Sequence, residues 1–151
     1  KLDAKIARVF TTFGPRMRLR HGLLIPDFIL DALEGKDLII YGTETLEESL
    51  CYVSDLVDAL VRLMSAGPDI SLINIGSDQA VRMIDVANRI IAMTNSTSRV
   101  VFESSLAYST HIGIPDLRRA KEGLGWLPIT RLEDGLRRVI DYTLAYKEAR
   151  G

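Results

Sequence analysis

The sequence predicts an α/β fold in which parallel strands alternate with helices. Short apolar runs that end at a glycine or a polar turn alternate along the 151 residues with segments whose apolar residues recur at helical spacing. The composition, 47% hydrophobic and 26% charged, is that of one globular unit with a substantial core. The strands are few and their order is irregular, which favours the smaller lobe of a two-lobed protein over a complete doubly wound domain.

The first predicted strand covers residues 4–10 and leads into a sharp turn. Its pattern ends before Gly14-Pro15, a pair through which neither a strand nor a helix continues. Thr11, Thr12 and Arg16 therefore lie where the strand exits. Ligands of open α/β sheets bind outside the carboxyl ends of strands, so this edge is a candidate site. An ordinary strand-to-loop exit explains the same pattern.

Four elements are predicted in the next part of the chain. A short helix begins at Pro26, because proline suits a first helical turn, and stops at the following glycine. The apolar run 37–42 predicts a buried strand, and after a polar loop 49–53 predicts another. The helix that follows extends to about Met64, and Ser54 is its expected N-cap because a serine hydroxyl can accept a hydrogen bond from a free N–H of the first turn.

The remaining elements follow the same logic. The remaining predicted elements are a strand at 72–76, a helix at 83–94, a core strand at 100–102, a short helix at 117–124 and a final helix from 132 to about 147. The helix at 83–94 precedes an asparagine suited to a left-handed cap, and the short helix at 117–124 ends at a glycine.

Composition and charge exclude several classes of function. The net charge is −1 and basic residues are scattered among acidic ones, whereas nucleic-acid and membrane-surface binding need clustered positive charge. No apolar run approaches the length of a membrane span, and the first residues lack the order of a signal peptide. The expected partners therefore include neither nucleic acid nor membrane, and a cytoplasmic location is expected.

The reactive side chains point to no metal or nucleophile chemistry of their own. Cys51 is a single cysteine in a strand-like segment, which favours a buried structural thiol. His21 and His111 have no partners at ligand spacing, and the acidic loop around Glu44 lacks the fixed spacing of a metal site. No glycine-rich phosphate loop and no nucleophile elbow occurs in the sequence.

Five segments in order carry a more specific signal, and together they cover most of the chain. They resemble the C-terminal portion of extended short-chain dehydrogenase/reductase proteins, the NAD-dependent epimerase/dehydratase family, and within it the UDP-glucuronate decarboxylases and their dehydratase relatives. The segments are RVFTTFGPRM, GLLIPDFILDALEGKDLIIYG, SLCYVSDLVDALVRLM, INIG and PDLRRAKEGLGWLP.

The resemblance implies that this chain is part of a larger enzyme. In that family an N-terminal Rossmann lobe binds NAD and carries a Tyr-x-x-x-Lys pair, and the C-terminal lobe binds a nucleotide sugar. Residues 1–10 would then be a late strand of the Rossmann lobe, and 11–151 the substrate-binding lobe with some returning Rossmann elements. The parent would be a homodimer assembled mainly through the other lobe. The sequence has no initiator methionine, and the chain is expected to be a fragment without activity of its own.

The resemblance also implies roles for individual residues. The family's turn reads Asn-Thr-aromatic-Gly-Pro-Arg, and here only the asparagine differs, being Thr11. Arg16 is implied to be catalytic: after NAD has oxidised the sugar at C4, its guanidinium would bind the carboxylate that leaves as carbon dioxide. Thr12 is also implied to contact the cofactor. The implied substrate-binding residues, expected to share one cavity with Arg16, are Thr11, Thr12, Tyr41, Tyr52 and Glu48. A solvated arginine and buried strand tyrosines remain alternatives.

Departures from the family pattern leave a second function open. Glu48 stands where the family has an arginine aimed at the substrate diphosphate, and Gly113 and Ile114 replace two further arginines. The family's Asp-Gly-Arg loop and the Asn of the first helix are also changed, the latter to Asp27. A carboxylate facing a diphosphate reverses the sign of the interaction. A non-catalytic binding or scaffold lobe is therefore the alternative to an enzyme.

Overall fold

Strands and helices alternate through the computed structural model, which describes residues 4–20, 22–104 and 113–149. The α/β class predicted from the sequence is confirmed. The elements in chain order are β1 (Ile6–Val9), β2 (Thr12–Phe13), α1 (Leu24–Leu33), β3 (Leu38–Tyr41), β4 (Glu47–Ser49), β5 (Cys51–Tyr52), α2 (Val53–Met64), β6 (Leu72–Ile75), β7 (Ala80–Arg82), α3 (Met83–Met93), β8 (Val100–Glu103), α4 (Arg118–Leu124) and α5 (Leu132–Glu148). None of the helices within these ranges combines the length and the apolar character needed to cross a bilayer.

Within the described residues the strands form four pairs, three of them parallel. β1 pairs with β6, β2 with β5 and β3 with β8 in parallel, as the alternation of strands and helices predicts. β4 and β7 pair in an antiparallel manner, with Glu47 opposite Arg82. This antiparallel pair was not predicted, because two three-residue polar strands have no alternation of apolar side chains that could reveal them.

The N-terminal segment changes its pairing partner between Phe10 and Thr11. The Phe10 N–H donates to the carbonyl of Ile75 at the end of β6 (2.9 Å), whereas the Thr11 carbonyl accepts from the Cys51 N–H of β5 (3.0 Å). The backbone thus passes from one parallel pair directly into the next. This crossing brings the carboxyl end of β1 next to β5 and to the end of β6.

In the part of the chain that the structure describes, two apolar clusters stabilise the fold. The larger one packs α1, α3 and α5 against β3 and includes Phe13 and Tyr52. The smaller one packs α2 and α4 against β6 and contains the fully buried Trp126. The Trp126 indole N–H donates to the Asp55 carbonyl (3.0 Å), which ties the segment before α5 to α2.

Most predicted elements are confirmed, and the differences lie at their boundaries. Asn95 has the left-handed backbone expected of it (φ 50°). The prediction that Ser54 caps α2 was wrong: the helix begins at Val53, Tyr52 occupies the N-cap position two residues before Ser54, and among the described residues no side chain caps the helix. The predicted strand 49–53 is divided, because Ser49 ends β4 and Val53 already belongs to α2. The predicted core strand at 100–102 is instead half-exposed, and Val101 is 36% exposed.

Exposure of β1 leads to a prediction about association. Ile6 and Val9 are 60% and 43% exposed, and within the described segments β1 pairs with β6 alone. An exposed apolar strand with a free edge pairs readily with other chains. We expect this chain on its own to associate at about 100 μM, a concentration at which exposed strand edges drive aggregation. Sedimentation velocity measures the extent of this association.

The control for this prediction is Ile6→Lys. A lysine on an edge strand opposes edge-to-edge pairing, so the variant should sediment more nearly as a monomer. A monodisperse monomer of the unchanged chain at the same concentration would contradict the prediction.

Candidate functional site

Four polar residues lie where β1 and β6 end, and we name them the strand-end cluster: Thr11, Glu48, Ser49 and Ser77. The Thr11 hydroxyl donates to a carboxylate oxygen of Glu48 (3.2 Å). The Ser49 hydroxyl donates to the Ser77 carbonyl (2.7 Å) and accepts from the Ser77 N–H (3.0 Å). Two of the residues expected at the substrate site, Thr11 and Glu48, are thus in direct contact although they are distant in sequence.

Gly76 allows the strand ends to approach so closely. A Cβ atom at this position would lie 2.8 Å from Phe10 Cβ and 2.8 Å from Pro115 Cγ, distances that real side chains do not tolerate. The glycine at the end of β6 therefore lets the exit of β1 and the segment at Pro115 close over the same point. A side chain here would push the strand-end cluster apart.

Thr12 lies next to the cluster and uses its hydroxyl proton on the backbone. Its Oγ1 donates to the Phe10 carbonyl (3.0 Å), and the residue is half-buried. A threonine hydroxyl has two acceptor lone pairs besides its one proton. Thr12 can therefore still accept a hydrogen bond from a bound molecule.

Tyr52 is buried among rings and lines a separate cavity. Its ring meets Phe13 edge-to-face with centroids 5.6 Å apart, and the Arg138 guanidinium carbon lies 5.5 Å from the centre of the ring. Gly135 makes room for both rings, since a Cβ there would lie 2.8 Å from Phe13 and 3.0 Å from Tyr52. The cavity beside Tyr52 has a volume of about 620 Å³ and is also lined by the turn after β6 and the segment 127–133.

Among the described residues that line the cavity beside Tyr52, neither Tyr41 nor Arg16 is found. Tyr41 ends β3, opposite Glu103 of β8. Arg16 is exposed, has a positive φ of 68°, and lines a second cavity of about 500 Å³ together with residues of α5. Among the described residues, Arg16 and Tyr52 thus line two different cavities, and their joint contribution to one substrate site stays a prediction.

The three positions at which the resemblance implies an arginine have side chains without a positive charge: Glu48, Gly113 and Ile114. Glu48 is only 8% exposed, so its carboxylate is part of the packed strand-end cluster. Gly113 and Ile114 are exposed, and Gly113 has a positive φ of 77°. Asp116, close by, pairs with Arg118 (2.6 Å), whose side-chain hydrogen bonds lower the pKa of that carboxyl to about 2. His111 lies outside the described residues.

Cys51 and the acidic residues do not form a reactive centre. Burial raises the pKa of the Cys51 thiol to about 12, so the thiolate that would act as a nucleophile is absent at neutral pH. Within residues 4–20, 22–104 and 113–149, no group of three or more His, Cys, Asp or Glu side chains could hold a metal ion.

Comparisons with known proteins give a consistent result. The profile of a family described as "NAD dependent epimerase/dehydratase family" matches residues 1–76. UDP-glucuronic acid decarboxylase 1 of Xenopus tropicalis is 38% identical over 141 residues, which are 93% of this chain and 33% of the relative. UDP-glucuronic acid decarboxylase 3 of Arabidopsis thaliana is 37% identical over 135 residues, 89% of this chain and 39% of the relative.

A solved structure extends the likeness to the fold. The UDP-glucuronic acid 4-epimerase from Bacillus cereus, in complex with UDP-glucuronic acid and NAD, superposes with a TM-score of 0.85 and 26% identity. The match covers 94% of this chain and 45% of that one. The chain thus spans between a third and a half of the length of the proteins it matches.

Proposed function

Because the chain belongs to the NAD-dependent epimerase/dehydratase family, we propose that it is the substrate-binding portion of an NAD-dependent nucleotide-sugar decarboxylase. The observation that carries the proposal is the 38% identity to a UDP-glucuronic acid decarboxylase over 93% of this chain. The proposed substrate is a nucleotide sugar that bears a carboxylate, as UDP-glucuronate does. A nucleotide-sugar dehydratase is the related activity within the same family.

The proposed division of the chain is the one drawn from the sequence. Residues 1–10 would complete a Rossmann lobe, and 11–151 would form the substrate lobe with returning Rossmann elements. The smaller apolar cluster supports this division, because it joins β6, the partner of β1, to α2 and α4 and is separate from the larger cluster. The parent is proposed to be a cytoplasmic homodimer whose subunit contacts lie mainly outside this chain.

The cofactor would be held mostly by the other lobe. The 151 residues contain no glycine-rich phosphate loop, and Thr12 is the residue of this chain that we assign to the cofactor. Its hydroxyl proton is committed to the Phe10 carbonyl, so it would serve as a hydrogen-bond acceptor. When bound, NAD supplies the reversible removal of a hydride from the sugar.

The residues of this chain would bind and orient the sugar. Thr11 and Glu48 stand at the carboxyl ends of the strands, where ligands of α/β sheets bind. Arg16 would bind the sugar carboxylate through its two parallel N–H groups. In a 4-keto sugar acid the bond between the carboxylate and the ring breaks, and its electron pair moves towards the keto oxygen. Because the charge leaves the carboxylate in this step, Arg16 would contribute by binding and orienting the carboxylate.

A different function is favoured by one observation in the strand-end cluster. Glu48, buried and bonded to Thr11, takes the place of the arginine that the resemblance assigns to the diphosphate. A chain that keeps the fold but has lost this cation could serve as a non-catalytic binding or scaffold lobe. The two functions differ in whether the full-length protein turns over a nucleotide sugar.

The test is carbon dioxide release from UDP-glucuronate. We expect the full-length protein with NAD to release carbon dioxide, and this chain alone with NAD to release none, because the other lobe holds the cofactor and the Tyr-x-x-x-Lys pair. Boiled full-length protein is the control for spontaneous loss. Turnover by the isolated chain would contradict the fragment hypothesis, and a folded full-length protein without turnover would favour the scaffold alternative.

A further inference from the structure

Three apolar residues of α2 form an exposed stripe on one side of the helix, and we name them the α2 stripe: Val57, Val61 and Met64. Their side chains are 52%, 58% and 81% exposed. Residues three and four positions apart are neighbours on a helix surface, so the three side chains lie in one row. A helix at the surface of a globular protein normally turns its apolar row towards a core and its polar residues outwards. The α2 stripe is therefore a surface that lacks its packing partner within the described residues.

The other side of α2 is already packed. Ala59 and Leu63 are buried in the smaller apolar cluster, which α2 shares with α4 and β6. The Arg62 guanidinium donates to the carbonyls of Leu124 (3.3 Å) and Gly125 (2.8 Å) at the end of α4. Because a helix completes one turn in about 3.6 residues, the α2 stripe lies on the side of the helix that faces away from α4.

The α2 stripe faces the same side as the free edge of β1. The Phe10 N–H points to β6, whereas the Thr11 carbonyl points to β5. Neighbouring residues of a strand direct their backbone groups to opposite sides, so β5 lies on the side of the N-terminal strand away from β6. α2 begins directly after β5, at Val53, and α4 contacts β6. The side of α2 away from α4 therefore faces the space beyond the free edge of β1.

We propose that a helix of the other lobe packs on the α2 stripe in the full-length protein, above a strand of that lobe that pairs with β1. The inference rests on the division of the chain in the proposed function and on no step of the reaction. The free edge of β1 offers unpaired backbone groups to a further parallel strand, and parallel sheets are covered by helices. Val9, on the same face of the sheet as Ala7, is 43% exposed and would be covered by the same helix layer.

The small size of the α2 stripe favours a partner within the same polypeptide. Stable complexes between separate proteins bury ~1,200–2,000 Å² of surface, far more than three side chains provide. A lobe that is joined to this one through the chain has a high effective concentration and needs less area. The relatives are long enough to contain such a lobe, because the matched segments are only 33% and 39% of the two decarboxylases.

The test measures how fast maleimide modifies introduced thiols in the full-length protein. We expect the thiol of Val61→Cys to react at least about tenfold more slowly than that of Leu144→Cys, because a covered thiol reacts only when the contact opens. Leu144 is the matched control, since it is also an apolar helix residue and is 41% exposed on α5. Val57→Cys is a second variant and should be equally slow. Mass spectrometry assigns the modified residue and separates it from the buried Cys51. Rates at positions 57 and 61 equal to the rate at 144 would overturn the proposal.

A crosslinking measurement identifies what covers the α2 stripe. A photo-crosslinking amino acid in place of Met64 should form bonds to the other lobe of the same polypeptide, so the product keeps the mass of a single chain on a denaturing gel. A doubled mass would show that a second copy covers the stripe and would overturn the proposal. Neither measurement depends on turnover. Slow thiol modification in a protein that releases no carbon dioxide would contradict only the proposed decarboxylase, and fast modification in an active protein would contradict only this inference.

Discussion

Glu48→Arg in the full-length protein is expected to raise its affinity for UDP-glucuronate by about tenfold or more. A cation and a phosphate ~4 Å apart attract each other by about 4 kcal/mol at an effective dielectric constant near 20, and a carboxylate in the same place repels the phosphate instead. Glu48 lies in the strand-end cluster, where the proposed diphosphate would be bound. Calorimetric titration with UDP-glucuronate measures the change, and thermal melting reports whether the variant is folded.

Two further variants keep this prediction testable if the larger arginine disturbs the buried cluster. Glu48→Gln removes the charge while keeping the shape, and it should bind more tightly than the unchanged protein but less tightly than Glu48→Arg. Glu47→Arg adds the same charge one residue earlier on β4, where the side chain is exposed and points to the other face of the strand, so its effect should be small. If neither Glu48 variant binds more tightly while both remain folded, Glu48 does not face the diphosphate.

Arg16→Lys is expected to lower decarboxylation by about a hundredfold with almost no change in the melting temperature of the full-length protein. Lysine keeps the positive charge but lacks the planar pair of N–H donors that fits a carboxylate. The folded state should be unaffected, because Arg16 is exposed and lysine, which is also long and unbranched at Cβ, has a similar cost at its positive φ. Carbon dioxide release under saturating substrate and differential scanning calorimetry are the two measurements.

Arg18→Lys is the matched control for Arg16→Lys. It lies two residues further along the same loop and is also exposed, but no role in decarboxylation is assigned to it, so turnover should stay unchanged. Equal turnover of Arg16→Lys and the unchanged protein would make Arg16 an ordinary loop arginine. An equal loss in both variants would indicate a general effect of the loop and not a contact with the carboxylate.

The elements that were predicted well have local causes. α3 begins at Met83 as predicted, and the left-handed Asn95 follows it, because helical periodicity and a suitable C-terminal residue act within a few positions of each other. α2 extends to Met64 for the same reason, but its start was misjudged. Pairing with β2 holds Tyr52 extended immediately before the helix, so the capping position falls before Ser54.

The residues of the candidate site were predicted only in part, because their contacts join distant segments. The exit of β1 at Thr11 was identified from the turn that follows it, and the resemblance pointed to Glu48, yet the hydrogen bond between them depends on the pairing of β2 with β5. The cavity formed by Arg18 and Tyr142 left no local signal. Its two walls are more than a hundred residues apart, and an aromatic pair on an amphipathic helix has the pattern of ordinary packing.

By itself, the amino-acid sequence determined the α/β class, the segments that become helices and the family to which the chain belongs, because periodicity and ordered motifs are properties of neighbouring residues. The tertiary structure alone decided that β4 and β7 pair in an antiparallel manner and that Arg16 lines a cavity beside α5. The physical reason is that the loop after Gly14-Pro15 is anchored on α1 by a hydrogen bond to Asp27 and by the ion pairs of Arg20. These contacts form only when the packed helix brings the groups together.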